Sequence, residues 1–183
     1  FVMMYMIFVG FIKKDESSRT LVELNEETGR LVTDFFVLYG KHIPLINMGI
    51  VGIVYTVFTL IWAGSLNGPF TAGIFTIVGF AGFGLHLRNV IPITVGAVLR
   101  SMLNIWPHNS NTLMVIILFG TALAPFSGYY GPVGGILAEF IHMCIALNLS
   151  SITAGINLYN NGFIAGIVVI CLLPVASSLR DDY

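Results

Sequence analysis

Residues 131–166 read GPVGGILAEFIHMCIALNLSSITAGINLYNNGFIAG, and this stretch decides the fold. It is apolar enough for a bilayer, yet it carries Glu139 and His142 three residues apart. On a helix, positions three or four apart share a face, so Gly135, Glu139, His142 and Ala146 form one narrow stripe. Glu139 is the single acidic residue between Asp34 and Asp181. An ionisable group inside a membrane segment costs about 2.5–3.5 kcal/mol on insertion scales unless it faces protein or water. That cost implies polar machinery inside a membrane protein.

The composition agrees. Of 183 residues, 56% are hydrophobic and 9% charged, against about a quarter charged in soluble domains. The charges are also crowded together. Lys13, Lys14, Arg19, Arg30 and Lys41 are five of the eight basic residues. Asp15, Glu16, Glu23, Glu26, Glu27 and Asp34 are six of the nine acidic ones. Residues 64–179 hold only Arg88, Arg100 and Glu139. No soluble core is built this way. The chain reads as an all-α, polytopic helical membrane protein, with room for six or seven transmembrane or half-membrane helices of about 20 residues. Its first dozen residues, FVMMYMIFVGFI, read as the end of a span. Residues 1–183 are therefore expected to be a single membrane domain cut from a longer protein. A signal peptide does not fit, because no basic segment precedes that run and no small-residue cleavage site follows it. Cys144 and Cys171 both fall in apolar segments and read as buried thiols. A net charge of −1 without a basic patch offers nothing to nucleic acid.

In chain order, residues 13–30 form a mixed-charge loop, and 31–40 an interfacial segment before Lys41. Apolar stretches follow at 45–64, 70–85, 91–106 and 112–126, then the Glu139 helix, then 162–179. Asn67-Gly68-Pro69, a polar turn at 107–111, a turn at 128–132 and a loop at 149–157 separate them. Basic residues in short loops stay cytoplasmic, which places residues 13–44 inside. If every stretch crosses, Arg88 and Arg180 return to that same side in seven crossings. Arg100 falls late in a stretch and must reach headgroups or a carbonyl cluster.

Two kinds of element occur twice. An Asn-x-Gly helix start appears at 47–54 (NMGIVGIV) and at 160–168 (NNGFIAGIV). A Gly-Pro start with a later Gly-Ile appears at Gly68-Pro69 with Gly73-Ile74, and at Gly131-Pro132 with Gly135-Ile136. Their order reverses between the halves. Residues 45–106 thus read as the end of one repeat and 112–179 as the start of an inverted second one. On that reading Asn160-Asn161-Gly162 begins a helix aimed into the protein, and Asn67-Gly68-Pro69 lies at the opposite face.

The runs LNGPFTAGIFTIVGFAGFGLHLRN and GINLYNNGFIAG resemble a bacterial family of multi-pass membrane proteins, domain of unknown function 1576. The likeness covers most of the chain. It implies a bacterial inner (cell) membrane and supplies no activity. More distantly, glycine-rich apolar halves with Asn-Gly helix starts are similar to urea transporters, which are built from two inverted halves around a pore.

Glu139 and His142 are the candidates for a proton relay or an ion ligand. The plain alternative is a helix near the surface with both groups wet. Glu-x-x-His spacing is also half of a di-iron carboxylate site. No second copy or further acidic ligand accompanies it, so neither a metal nor a cofactor is expected. Asn47, Asn67, Gly68, Pro69, Asn160, Asn161 and Gly162 sit where helices break. Freed carbonyls and amide side chains there can bind polar solutes, although the same dipeptides serve ordinary turns. His86 reaches a membrane face beside Arg88 and Asn89. The glycines of GFAGFG, with Gly131/Gly135 and Gly162/Gly166, suit close helix contact. Ser127, Ser150, Ser151 and His108 are joined by no catalytic motif. The reading is a transporter or channel for a small polar solute or ion, embedded in lipid. An intramembrane enzyme using Glu139, His142 and His86 is the alternative, and a structural membrane subunit is a third. Homo-oligomers are compatible with all three.

Overall fold

The computed structural model describes residues 1–13, 19–30, 33–103, 110–149 and 157–181, with side chains of the last segment from 160 to 180. Among these residues every regular element is helical. α1 (Val2–Ile12) lies antiparallel to α4 (His42–Ala63), with Gly10 against the His42 carbonyl and Gly49 against the Met3 backbone. Small residues let two helix backbones approach this closely where lipid supplies no hydrophobic drive. Between them, α2 (Leu21–Leu24) is one turn fixed by a Thr20/Glu23 capping box. α3 (Phe35–Tyr39) starts at Asp34, whose carboxylate accepts from the amides of Phe36 and Val37.

α5 (Gly68–Phe80) returns beside α4, started by Asn67, whose side chain accepts from Phe70 N at 2.9 Å. At 13 residues it is about 20 Å long, short of the hydrocarbon core. A tight turn over 81–86 makes up the distance. Asn47 holds that turn, donating both amide protons, to Ala81 O at 2.8 Å and Leu85 O at 2.9 Å. α6 (Leu87–Met102) then runs away from the 13–41 loop, which marks what we term the loop end of the bundle.

α7 (Asn111–Gly120), a 3₁₀ turn (Thr121–Leu123) and α8 (Ala124–Leu149) follow as one nearly continuous helical run. A straight helix over 111–149 would be about 58 Å long, twice what a bilayer holds. It is not straight. Gly131 has φ 84° and ψ 174°, and Pro132 follows it. This backbone region is open essentially to glycine alone. Beyond it the chain doubles back, so that Gly135 lies against Ser127 and Glu139 against Gly120. Residues 111–130 and 132–149 are thereby two passes of about 30 and 27 Å, each matched to the hydrocarbon thickness. The second arm of α8 runs parallel to α6, with Gly96 against the Ile136 backbone and Arg100 Nε donating to Cys144 Sγ at 2.9 Å. α9 (Asn157–Asp181) returns to the loop end, where Ser177 Oγ meets Tyr130 OH at 2.7 Å.

Three helical stretches are long and apolar enough to cross a membrane: His42–Ala63, Asn111–Leu149 and Asn160–Arg180. The architecture is that of a helical membrane protein. Its interior is aliphatic, with Val51, Ile74, Ile77, Ile93, Ile116 and Met143 all buried.

Several expectations need correction. The turn at 128–132 is a single residue, because helix continues through Tyr130 and only Gly131 departs from it. α6 ends at Met102 rather than 106, since it starts earlier, at the His86/Asn89 cap. α9 begins at Asn157, so Asn160-Asn161-Gly162 lies within its opening turns. Asn67-Gly68-Pro69 and the start of α9 are at the same end, far from the loop, and not at opposite faces. Four passes separate them, and an even number brings the chain back. Gly162 and Gly166 face open space, with nothing within 4 Å of a Cβ built there. In GFAGFG, Gly82 accepts from Phe35 N at 3.0 Å and Gly84 takes φ 101°, so these glycines serve the turn. Cys171 is exposed, because α9 buries one face only. Lys14, Asp15, Glu16, His108, Ser150 and Ser151, with most of the 107–111 turn and the 149–157 loop, lie outside the described residues.

Candidate functional site: a buried acid–base pair inside a chain reversal

The stripe read from the sequence is the inward face of α8. Gly135, Glu139, His142 and Ala146 are all buried, the acid and the imidazole completely. The pair faces protein because the reversal at Gly131 lays α8 back on α7. Gly120 sits directly against the Glu139 carboxylate, and a Cβ there would overlap it. Glycine at 120 therefore makes the pocket in which the carboxylate fits.

His142 Nδ1 lies 3.3 Å from Oε1 and 3.3 Å from Oε2 of Glu139, and its Nε2 is 3.3 Å from Asn161 O. Both neighbours of the ring are oxygen acceptors. A neutral imidazole carries one N–H, and only the imidazolium carries two. The contacts are satisfied in two ways that hold the same number of protons. Either an imidazolium faces a carboxylate, or a neutral ring donates from Nε2 to Asn161 O while a protonated Glu139 donates to Nδ1. Both arrangements are neutral overall, and they differ by one proton shifted about an ångström. Removing that proton leaves a net negative charge with no exposure to water, which is costly. Glu139 Oε2 has no hydrogen bond, and the buried Ser127 Oγ, one turn nearer the loop end beside Gly135, has none either among the described residues.

The other candidates lie elsewhere. Asn67 is a helix cap at the far end and also donates to Asn111 Oδ1 at 2.8 Å, with Gly68 and Pro69 exposed beside it. Asn47 pins the 81–86 turn. His86 is at the loop end, its Nε2 2.7 Å from Glu27 O, so that the ring donates there as the Nε2–H tautomer. By helix rise it is about 20 Å along the bundle from His142. Burial holds the His86 imidazole below its ordinary range, and the nearby Arg88 charge adds to this. Tyr39, donating to Glu27 Oε1 at 2.7 Å, is pushed up to about 12, first by burial and then by that hydrogen bond. Of the predicted residues, the structure brings together Glu139, His142 and Asn161. Among the described residues no group of His, Cys, Asp and Glu could hold a metal ion.

The model of one family, described as "Protein of unknown function (DUF1576)", matches residues 13–178. The chain belongs to this family. No curated protein and no solved structure matches it, so the likeness to urea transporters gains no support from either. Within this DUF1576 chain, sequence reasoning missed Gly120 and the hydroxyl pair of buried Tyr55 and half-buried Thr94, 2.5 Å apart, and it set Ser127 aside for want of a catalytic motif. Gly120 sits in a plain apolar run, and nothing local distinguishes it from other glycines. Tyr55 and Thr94 belong to different helices, and only tertiary contact joins them.

Proposed function

We propose that this chain is the membrane part of a proton-coupled transporter for a small polar solute or ion. Glu139 and His142 form its proton site, and the opening turns of α9 form its gate. The observation that supports this best is the placing of His142 between two acceptors, which gives the pair one mobile proton and a neutral resting state. A structural ion pair would more economically be replaced by apolar residues of equal volume. The pair is occluded, which favours a transporter over an open channel: release of the proton requires a neighbouring element to move. α9 supplies the Asn161 carbonyl and is the least enclosed of the long apolar stretches, 17% of its apolar window being buried against 39% and 61% for the other two. Its motion costs the fewest contacts. The basic residues Lys13, Lys41, Arg88 and Arg180 at the loop end support a cytoplasmic reading of that end. An enzyme combining His86 with the pair is disfavoured by their separation along the bundle.

The test uses the full-length protein in liposomes loaded with a pH-sensitive dye. Gradients of urea, ammonium, acetate and sodium are imposed in turn. Proton movement coupled to one of them is expected, and Glu139→Gln should abolish its pH dependence while leaving the protein folded. Transport in Glu139→Gln that matches the unmodified protein across a pH series would reject the pair as the working group.

A further inference from the structure

The loop end carries a second feature, remote from the acid–base pair. Tyr129, in the last turn before the reversal, has Arg30 Cζ and Arg180 Cζ each 4.1 Å from its ring centroid. The two guanidinium carbons therefore lie within about 8 Å of each other. Arg180 also donates to Tyr129 O at 3.0 Å. Neither guanidinium has an acidic partner among the described residues. Two cations held on one aromatic ring, with no acidic partner among the described residues, form an anion-sized receptor, because a guanidinium carries five N–H donors and the ring face uses none of them as a hydrogen bond.

This receptor stands at the mouth of an apolar groove. Between the second arm of α8 and the end of α9 runs a channel of about 490 Å³, walled by Val133, Leu137, Leu172, Val175 and Leu179 and ending at Tyr129 and Arg180. A smaller hollow of about 140 Å³ continues past Tyr129 and Tyr130 to Arg30. Among the described residues the walls of both hold no acidic side chain. An apolar trough along a membrane helix, closed at the loop end by two arginines and two tyrosines, matches one kind of molecule. Its tail is hydrocarbon and its head is an anionic phosphate.

We propose that the groove between α8 and α9 is a binding site for an anionic phospholipid, with one acyl chain along Leu137 and Leu172 and the phosphate held by Arg30 and Arg180. The charges on the site complement that headgroup, and the loop end is the one read as facing the anionic cytoplasmic leaflet. A zwitterionic lipid fills the same trough but brings a choline cation to two guanidiniums.

Native mass spectrometry of the full chain, released from detergent with phosphatidylglycerol or phosphatidylcholine in equal supply, tests this. One phosphatidylglycerol should be retained in preference to phosphatidylcholine, and the preference should shrink as ammonium acetate is raised. Each guanidinium is expected to contribute about fivefold, so Arg30→Gln with Arg180→Gln should lose about twenty-five-fold. Arg88→Gln, an exposed cation at the same end but outside the groove, should change nothing. Ala176→Phe, which fills the trough, should weaken retention of both lipids alike. Equal retention of the two lipids by the unmodified chain overturns the proposal without any variant. So does a phosphatidylglycerol preference that survives in the double arginine variant, or one that Arg88→Gln removes equally.

Discussion

Gly120→Ala is the sharpest probe of the doubled-back architecture. The added methyl would occupy the space of the Glu139 carboxylate, and neither α7 nor α8 can withdraw without disturbing buried neighbours. Inserting a methyl into a well-filled interior costs about 1–3 kcal/mol. If the carboxylate yields instead, it loses contact with His142, and a buried group stripped of its partner costs a comparable 1–3 kcal/mol. Either way the loss should be near 2 kcal/mol. A cycle separates this clash from a general weakness of the helix. Glu139→Ala vacates the space, so Gly120→Ala on that background should cost at least 1 kcal/mol less than alone. Glu139→Gln keeps the volume and should give no relief. The measurement is reversible unfolding of the purified protein in mixed detergent and dodecyl sulfate, followed by circular dichroism. Additivity of Gly120→Ala and Glu139→Ala within about 0.5 kcal/mol would refute the contact, and with it the placing of α8 upon α7.

Gly131→Ala should destabilise by about 1–3 kcal/mol in the same assay, since φ 84° with ψ 174° is closed to alanine; Gly162→Ala, helical and facing open space, should be neutral or stabilising by up to about 1 kcal/mol. Asn47→Ala strips a buried donor from two carbonyls and should cost at least 2 kcal/mol, whereas Asn67→Ala, a partly exposed cap, should cost about 1 kcal/mol; equal losses would contradict their assigned roles. His86 contributes through its neutral ring. With its folded pKa below the ordinary 6.5, the folded state binds the proton less tightly than the unfolded one. Its contribution is therefore full above about pH 6.5 and drains as pH falls below that value. Amide protection factors over residues 24–30, each corrected for the intrinsic exchange rate at its pH, should fall between pH 7 and 5 in the unmodified protein and respond less in His86→Asn. A rise in protection on acidification would reverse the assigned sign.

Much of this was legible because the physics is local. The span read as 45–64 is α4 at His42–Ala63. The Glu139/His142 stripe faces inward as helical spacing requires, since an exposed carboxylate has no place against lipid. What escaped is non-local. A Gly-Pro pair looks like a loop, but the actual break is one residue wide, because proline suits the first turn of the helix it opens. Asn47 and Asn67 look alike as helix-start asparagines. One ties two carbonyls from another turn and the other caps its own helix. The opposite-face expectation failed on counting passes, which no motif records. Arg30 and Arg180 meet across 150 positions of sequence on a tyrosine that composition does not single out.

The reversal at Gly131 also sets the orientation of everything downstream. Each pass inverts the direction of travel, so a chain that ran straight on at this residue would deliver α9 upside down. Arg180 would then emerge a full bundle-length from Tyr129, and His142 would never meet Asn161. One dihedral angle thus acts as a parity bit for the last third of the protein. A tag placed after Asp181 would report its value as a binary outcome, on the same side as Lys13 or across from it.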